Sequence, residues 1–490
     1  MNYTAHKLFL LIYLIFVSAG TINSQSIQPS VHQQQYEKYS EQSFQQELPD
    51  APKTAEPLLK PKQALREVFG FHPYWMETAW ADYRFELLTT IAYFGVEIDG
   101  SGNIVESRGW PVTSLISRAH QHGVRVVLTV ILFDPQEIAR LLESTFNRQN
   151  LISNLLESVR NANADGVNID FELVPENQRQ NLTTYMQNLA DAFHDEIPGS
   201  HVSMAVPAID WSNAFDADAL AEICDGLFIM GYDYHWSGSG STGPVSPLYG
   251  YNGLNVSNSV SDYIAETNGN RNKLILGLPW YGYEWEANGP EPGSATQGSA
   301  SAKTYSQAAD LALIHGSLRL ESAGQIPWYR YAENSSWSQG WYDDSLSLAL
   351  KYDLALRENL SGIGYWALGY SGGDESIWGG IADYLGTELP ELPTQPEEFQ
   401  LIAAYPNPFS DLVTVHNTSP QDFGGSMSIH VYDLSGRRIQ TLLSNGSATN
   451  FQQVVWDGHT DIGESVANGI YFIRAESRFM NQTLKVTYLR

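Results

Sequence analysis

The chain has 490 residues, enough for two or three domains of ordinary size. Its 27 Lys and Arg residues against 55 Asp and Glu residues give a net charge of −28, which argues against a nucleic-acid-binding surface. Hydrophobic residues make up 43% of the chain and charged residues 17%, so it can bury large cores. The one cysteine, Cys224, excludes an intramolecular disulfide and a zinc site built from several cysteines.

Residues 1–24 have the pattern of a secretory signal peptide. Lys7 precedes an apolar run from Leu8 to Val17, and small residues follow it. A membrane-spanning helix needs about 20 apolar residues, so an N-terminal membrane anchor is the less favoured alternative. We therefore expect an exported protein with no stable membrane span, and signal cleavage after Gly20 or Ser24.

Two stretches lack apolar periodicity and predict linkers. Residues 25–66 carry eight glutamines between Gln25 and Gln46 and then several prolines, which predicts a solvated Gln/Pro-rich linker that need not pack. A Pro/Glu-rich linker is predicted at 387–398, where three prolines and four glutamates interrupt the pattern. The linkers separate a central region, 67–386, from a tail, 399–490.

The central region alternates short apolar runs, rich in β-branched and aromatic residues, with helix-like stretches. The runs are Val68–Trp75, Leu87–Ile98, Val124–Phe133, Gly166–Glu172, Val202–Ile209, Gly226–Trp236, Leu274–Trp285 and Gly362–Tyr370. Eight strands separated by helices predict an α/β fold with a parallel sheet, and eight strands are the number that closes a (β/α)8 TIM barrel. The long gap before the eighth run predicts an insertion at about 287–361.

The tail has a different pattern. Its runs are short and alternate polar with apolar residues, and turn signals stand at Ser435-Gly436 and Asp457-Gly458. This pattern predicts a small all-β sandwich of antiparallel strands.

The segment DGVNIDFE, residues 165–172, carries the strongest chemical signal. On a strand Asn168, Asp170 and Glu172 share one face, and the apolar residues between them share the other. A barrel strand turns its apolar face towards the helices, so this polar face points inward, where buried carboxylates are costly unless a function retains them. A half-exposed strand with its polar face in water is the alternative. Acidic residues at the carboxyl end of a barrel strand occupy the catalytic face of that fold.

The spacing of the two carboxylates restricts their roles. Asp170 and Glu172 lie roughly 6.6 Å apart along one strand and approach a substrate from the same side. A nucleophile and an acid of the ordinary retaining kind must flank the scissile bond. The pair therefore suits an acid, Glu172, beside a charge that positions another group and raises the acid's pKa.

Four ordered motifs resemble glycoside hydrolase family 18, the chitinase family. DGVNIDFE is similar to the family's DGxDxDxE signature, and Met230-Gly231-Tyr232-Asp233 to its MxYD motif. Leu278–Gly282 resembles the seventh-strand motif, and Trp366 in GIGYWALGY matches the tryptophan beneath the sugar site. The resemblance covers roughly residues 66–390 and implies that the insertion before strand eight is an α+β subdomain.

The resemblance implies a role for each matching residue. Glu172 corresponds to the general acid, and Asp170 to the carboxylate that orients the substrate's own N-acetyl group, which then attacks the anomeric carbon. Tyr232 holds that acetamide beside Asp233, and Trp366 stacks under the sugar. The other matching residues expected to bind substrate are Asn168, Met230 and Tyr281; Asp165 and Gly166 are expected to be structural. Apart from the resemblance, Trp75 after strand one and Tyr283 and Trp285 after strand seven are aromatic candidates for a binding groove at the strand ends, although each alone could belong to the core. Asp343 and Asp344 could suggest a metal site, but no spaced set of ligands accompanies them. We expect no metal and no cofactor.

One position departs from the family pattern, because Asn168 stands where the family has its first inward aspartate. The charge coupling of that aspartate is therefore in doubt, while its hydrogen bonding is kept. This spelling resembles members that act on bacterial wall glycan, so chitin and peptidoglycan both stay open, as does endo or exo action. A catalytically silent sugar-binding lectin on the same barrel is the alternative function, although Glu172 is present.

The tail resembles the C-terminal sorting domain of the type IX secretion system. Tyr405–Phe409, Trp456-Asp457-Gly458 and Gly469–Phe472 carry the resemblance. It implies a Gram-negative source, type IX secretion machinery as a partner, and a secreted or cell-surface location. A carbohydrate-binding or adhesion sandwich is the alternative. Besides the polysaccharide substrate, we expect no nucleic-acid partner, and we expect a monomer.

Overall fold

The computed structural model describes most of the chain in two compact units, residues 1–388 and 389–490. The described residues are 29–48, 51–62, 64, 66–333, 336–386, 400–405, 407–418, 426–434, 436–447, 453–477 and 481–490. The predicted signal peptide and the predicted linker at 387–398 lie outside them.

Eight parallel strands form a closed barrel in the first unit, which confirms the predicted fold. They are β1 Glu67–Pro73, β2 Thr90–Ile98, β3 Arg125–Leu132, β4 Gly166–Phe171, β5 His201–Pro207, β6 Gly226–Met230, β7 Leu274–Pro279 and β8 Gly362–Trp366. Each strand pairs with the next, and β1 pairs with both β2 and β8, so no edge is left open. A short strand, Ile104–Glu106, adds to β2 in antiparallel register.

Ten α-helices are described in this unit. They are α1 Val31–Tyr39, α2 Thr113–Gln121, α3 Pro135–Glu143, α4 Thr145–Ala162, α5 Arg179–Glu196, α6 Ala217–Ile223, α7 Val256–Glu266, α8 Tyr305–His315, α9 Ser345–Arg357 and α10 Glu375–Leu385. Local signals start several of them: Asp134 caps α3 with Pro135 in its first turn, and Ser144 caps α4. Packing fixes them, as where Phe171 of β4 stacks on Tyr185 of α5.

The insertion before β8 is an α+β subdomain, as expected from the family. Its sheet has five antiparallel strands, in the spatial order Ser301–Thr304, Tyr281–Ala287, Ser336–Trp341, Ile326–Glu333 and Leu318–Leu320, and α8 packs beside it. It spans 281–341 rather than about 287–361. The predicted single run Leu274–Trp285 is in fact two strands, because the chain leaves the barrel after Pro279. The insertion ends before α9, because that helix packs on β8 and belongs to the barrel.

The prediction that residues 25–66 form a linker that need not pack is wrong for the part around α1. This helix lies in the region predicted as linker, and Val31, His32, Gln35 and Tyr36 are buried. Ser30 caps it, with its side chain accepting a hydrogen bond from the Gln33 amide. The partners of α1 lie at the carboxyl ends of the barrel strands.

The second unit is all-β, as predicted. A three-stranded sheet contains Gln400–Tyr405, Val413–Thr418 and Gln453–Trp456; a four-stranded sheet contains Arg438–Ser447, Ser426–Tyr432, Gly469–Ser477 and Asn481–Tyr488. One apolar core includes residues from both sheets, among them Val413, Trp456, Ile473 and Val486. This is the packing of a small sandwich.

Candidate active site

The three polar residues of β4 point into the barrel, as the strand period predicts. Asn168 and Asp170 are fully buried and Glu172, just past the strand end, is 7% exposed. Asn168 donates from its amide nitrogen to the Ser203 hydroxyl on β5 at 2.9 Å. One carboxylate oxygen of Asp170, Oδ1, and the amide oxygen of Asn168 have no hydrogen-bond partner within the described structure.

The start of β4 is fixed by Asp165 and Gly166. The Asp165 carboxylate accepts hydrogen bonds from the Val126 amide at 2.7 Å and from Nε2 of His120 at 2.8 Å. Gly166 has φ +144°, and a Cβ there would lie 2.0 Å from the His201 carbonyl oxygen. Both residues thus sit at the amino end of the strand, away from the carboxylates, where they hold β4 against its neighbours.

Tyr232 and Asp233 follow β6 at the same end of the barrel as Glu172. Tyr232 is 4% exposed, and Asp233 is partly buried. Tyr281, the first residue of the insertion, donates its hydroxyl proton to Asp233. Met230, the last residue of β6, is 8% exposed and lies below this pair in the strand. The insertion therefore contributes directly to the site.

Trp366 ends β8 and forms part of an aromatic floor. It packs edge-on against Phe94 at 4.8 Å between ring centroids and lies 5.5 Å from Phe71. Trp75 lies 6.2 Å from Trp366 and donates from its indole nitrogen to the Tyr370 hydroxyl. The structure thus brings Trp75, predicted from its position after β1, into the same floor.

Two other aromatic groove candidates are on the insertion, where the ring of Tyr283 packs against that of Tyr281 with 5.5 Å between centroids. Tyr283 and Trp285 are in the first strand of the insertion and are almost fully buried, 1% and 0% exposed. Their strand is second of five in the insertion sheet, between Ser301–Thr304 and Ser336–Trp341. Asp343, which could have suggested a metal site, instead forms a buried ion pair with Lys351 on α9.

Residues before the barrel occupy the space above these groups. The Ser30 hydroxyl donates to Glu172 at 2.7 Å, and the Val31 amide donates to Asp233 at 2.9 Å. The His32 ring lies between Asp170 and Tyr232. Its Nδ1 is 2.8 Å from the Asp170 carboxylate, and its Nε2 is 2.8 Å from the Tyr232 hydroxyl. The same ring stacks on Trp366, with 3.7 Å between centroids and 28° between planes.

Burial and crowding of carboxylates shift the proton equilibria of the site. Burial, and after it the charge of Asp170, raises the pKa of Glu172 well above its ordinary value. Burial also raises the pKa of Asp233 to about 6, against the hydrogen bonds from Tyr281 and Val31 that lower it. A carboxyl group with a raised pKa keeps its proton at higher pH, which is what a general acid requires.

One group of side chains could hold a metal ion. Among the described residues, ligand atoms of His32, Asp170 and Glu172 lie within 4.8 Å of one another. An imidazole and two carboxylates suit a divalent cation. Both ring nitrogens of His32 already have hydrogen-bond partners, which a metal would displace. The absence of a metal therefore stays a prediction.

Sequence reasoning missed Ser30, His32 and Gln35 because helix α1 has polar partners. Hydrophobic periodicity finds helices that bury an apolar stripe, whereas α1 buries a histidine and a glutamine. The one local signal was Ser30 followed three residues later by Gln33, the pattern of a capping box.

The sequence comparisons agree with this geometry. The profile of the glycosyl hydrolases family 18 matches residues 72–371, which include β1 to β8 except the first residues of β1. The chain belongs to this family. A second profile, of the secretion system C-terminal sorting domain, matches residues 403–487 in the all-β unit. Both predicted resemblances are confirmed.

Relatives of this family-18 chain are found in bacteria and animals. The cortical fragment-lytic enzyme of Bacillus subtilis is 28% identical over 302 residues, which cover 58% of this chain and 65% of that one. The di-N-acetylchitobiase of Homo sapiens is 28% identical over 331 residues, covering 60% and 77%. The chain thus spans slightly less than two thirds of the length of the bacterial relative.

Solved structures show the same barrel fold. The catalytic domain 2 of the Ostrinia furnacalis Group II chitinase superposes with a TM-score of 0.60 at 21% identity, covering 66% of this chain and 98% of that one. The spore cortex-lytic enzyme of Bacillus megaterium gives a TM-score of 0.56 at 21% identity, covering 68% and 76%. No helix within the described ranges has the length and apolar character to cross a membrane.

Proposed function

We propose that this family-18 protein is a secreted glycoside hydrolase that cleaves β-1,4 linkages of an N-acetylglucosamine-containing glycan with retention of configuration. The observation that carries the proposal is the convergence of Asp170, Glu172, Tyr232 and Trp366 at one end of the barrel. One histidine ring contacts Asp170, Tyr232 and Trp366 at once, and Glu172 lies 3.5 Å from its Nδ1. A single sugar ring can therefore reach the whole set.

Each group has a chemical task in this proposal. Glu172, whose pKa is raised, donates a proton to the glycosidic oxygen as the bond to the anomeric carbon breaks. The acetamide oxygen of the substrate attacks that carbon, while Asp170 orients the acetamide N–H and stabilises the oxazolinium ion. Tyr232 hydrogen-bonds the acetamide, and Trp366 supports the apolar face of the sugar. Water then opens the ring with Glu172 acting as the base.

Substitution of the acid tests the mechanism. Glu172→Gln should retain glycan binding and lose about 10²–10⁴-fold in kcat, the usual contribution of a general acid. Substrates lacking the acetyl group at the cleaved residue should bind without being cut, because the nucleophile is missing. An unchanged rate for Glu172→Gln would remove Glu172 from the role of the acid. Binding of glycan without cleavage would favour the lectin, and cleavage after glucosamine units would require a nucleophile from the protein.

Mass spectrometry of the products identifies the glycan. Chitin oligomers and peptidoglycan are incubated in parallel with the purified protein and with its Glu172→Gln variant as the blank. The names of the two relatives include a cortex enzyme and a chitobiase, so both substrates belong in the assay. Products absent from the blank define the substrate and the mode of cleavage.

The all-β unit is proposed as an export signal recognised by type IX secretion machinery. It forms a separate compact unit with its own apolar core, so the barrel should fold without it. A chain that ends at Thr387 should keep full activity on soluble oligomers and remain inside the native host. Normal release with lost binding to insoluble glycan would instead make the unit a carbohydrate-binding module.

A further inference from the structure

The barrel cleft is filled by the chain itself. The N-terminal segment, defined here as residues 29–48, places hydrogen-bonding side chains on every catalytic group proposed above. With the N-terminal segment in place, Trp366 and Asp170 are fully buried and Tyr232 is 4% exposed. The N-terminal segment therefore competes with a glycan for these groups.

The His32 ring occupies the position that the sugar needs. It lies flat on Trp366, the proposed platform for the sugar, and its two nitrogens bridge Asp170 and Tyr232, the proposed acetamide ligands. Because a carboxylate oxygen only accepts, Nδ1 donates to Asp170, and Nε2 shares a second hydrogen bond with the Tyr232 hydroxyl. Gln35 completes the cover by accepting hydrogen bonds from the Trp366 indole and the Tyr370 hydroxyl.

The start of helix α1 compensates the acidic cluster. Ser30, its cap, donates to Glu172, and the first amide, that of Val31, donates to Asp233. Free amide groups and the positive end of the helix dipole favour negative charge at this position. The start of the helix therefore supplies hydrogen bonds to carboxylates from which it excludes water, and this makes the fit specific.

Contacts outside the catalytic groups anchor the rest of the N-terminal segment. Tyr39 stacks on Trp75 with 5.1 Å between centroids. Tyr36 accepts a hydrogen bond from Arg108 at 2.6 Å and donates to Glu97. Glu47 accepts a hydrogen bond from the Ser114 amide at the beginning of α2, a helix whose own cap residue supplies none. The docked segment thus extends from the acid to the outer helices.

We propose that the N-terminal segment is an intramolecular inhibitor, and that cutting the chain behind it activates the enzyme. This inference rests on the proposed function. The following stretch suits a protease, because Pro52, Lys53 and Thr54 are exposed. Beyond it the chain is held on the barrel, where the Ala55 carbonyl accepts from Asn163 at 2.8 Å. A cut at Lys53 therefore frees the inhibitor and leaves the barrel intact.

The test uses the full chain with a cleavage sequence for a site-specific protease inserted between Lys53 and Thr54. Hydrolysis of N-acetylglucosamine oligomers is measured before and after cutting and dilution. We expect kcat/KM to rise at least tenfold on cutting. In the uncut chain, His32→Ala should give a rise of at least tenfold, because one ring makes three of the blocking contacts. Lys38→Ala, on the exposed side of α1, should give none.

A binding measurement separates this inference from the proposed function. A labelled synthetic peptide of residues 29–48 is added to the cut, separated enzyme and followed by fluorescence polarisation, beside the same peptide with His32→Ala. Saturable binding of the first and at least tenfold weaker binding of the second support the inhibitor, even if no glycan is hydrolysed. A measurable kcat/KM that is equal before and after cutting, or equal binding of the two peptides, would overturn it.

Discussion

Replacing Lys351 by Met should unfold the barrel at a markedly lower temperature. The Lys351 side chain is 0% and the Asp343 side chain 1% exposed, and the two form a buried ion pair. Burial lowers the pKa of Lys351 and raises that of Asp343, and both shifts disfavour the charged forms. The two charges stabilise each other, and the Ser347 hydroxyl donates a hydrogen bond to Asp343 at 2.6 Å. Without the lysine, an unpaired carboxylate stays buried beside α9, which leads into β8.

The loss of one partner from such a pair costs about 3–5 kcal/mol. At roughly 2–4 °C per kcal/mol, the Tm of the barrel should fall by about 6–20 °C, measured by circular dichroism at a fixed scan rate. The double variant Asp343→Leu/Lys351→Met removes both charges and should regain most of the loss. As a surface control, Glu291→Gln breaks an ion pair whose carboxylate is 77% exposed and should cost at most about 1 kcal/mol. A double variant as unstable as the single one would refute this reasoning.

Three further outcomes follow from the site. Asp170→Asn should move the alkaline limb of the residual pH–rate profile to lower pH, because the Asp170 charge helps to raise the pKa of Glu172; an unmoved limb would contradict the coupling. Gly166→Ala should lower the Tm, since its Cβ would meet the His201 carbonyl at 2.0 Å, whereas Gly199→Ala, with a positive φ but open space, should cost less. Tyr281→Phe should raise the pKa of Asp233 above about 6, seen as an acid limb displaced to higher pH.

The barrel and the inward face of β4 were predictable because both follow from short-range periodicity. Alternation along 165–172 is enough to place Asn168, Asp170 and Glu172 on one face, and eight such runs are enough to suggest closure. Predicting the Tyr281–Asp233 contact requires knowing where the chain leaves the barrel. The sequence pattern typical of a strand continues through that point without a break.

The N-terminal segment was not predictable in the same way. Its hydrogen bonds to Asp170, Glu172 and Tyr232 join residues more than a hundred positions apart, so neither composition nor hydrophobic spacing reveals them. A glutamine-rich stretch with few apolar residues is typical of solvated chain. Here the partner surface is itself polar and aromatic, and that surface exists only once the barrel has closed.

The position of His32 on the same chain as Trp366 has a consequence for dilution. An inhibitor that is a separate molecule releases its target as both spread into a larger volume, because the encounter rate falls with concentration. A covalently tethered ring keeps a constant local concentration at the cleft, however few molecules the surroundings contain. The fraction of molecules whose cleft is occupied by the N-terminal segment would therefore be the same in a crowded cell envelope and in open medium. Once the peptide bond is cut, dilution would favour release of the segment.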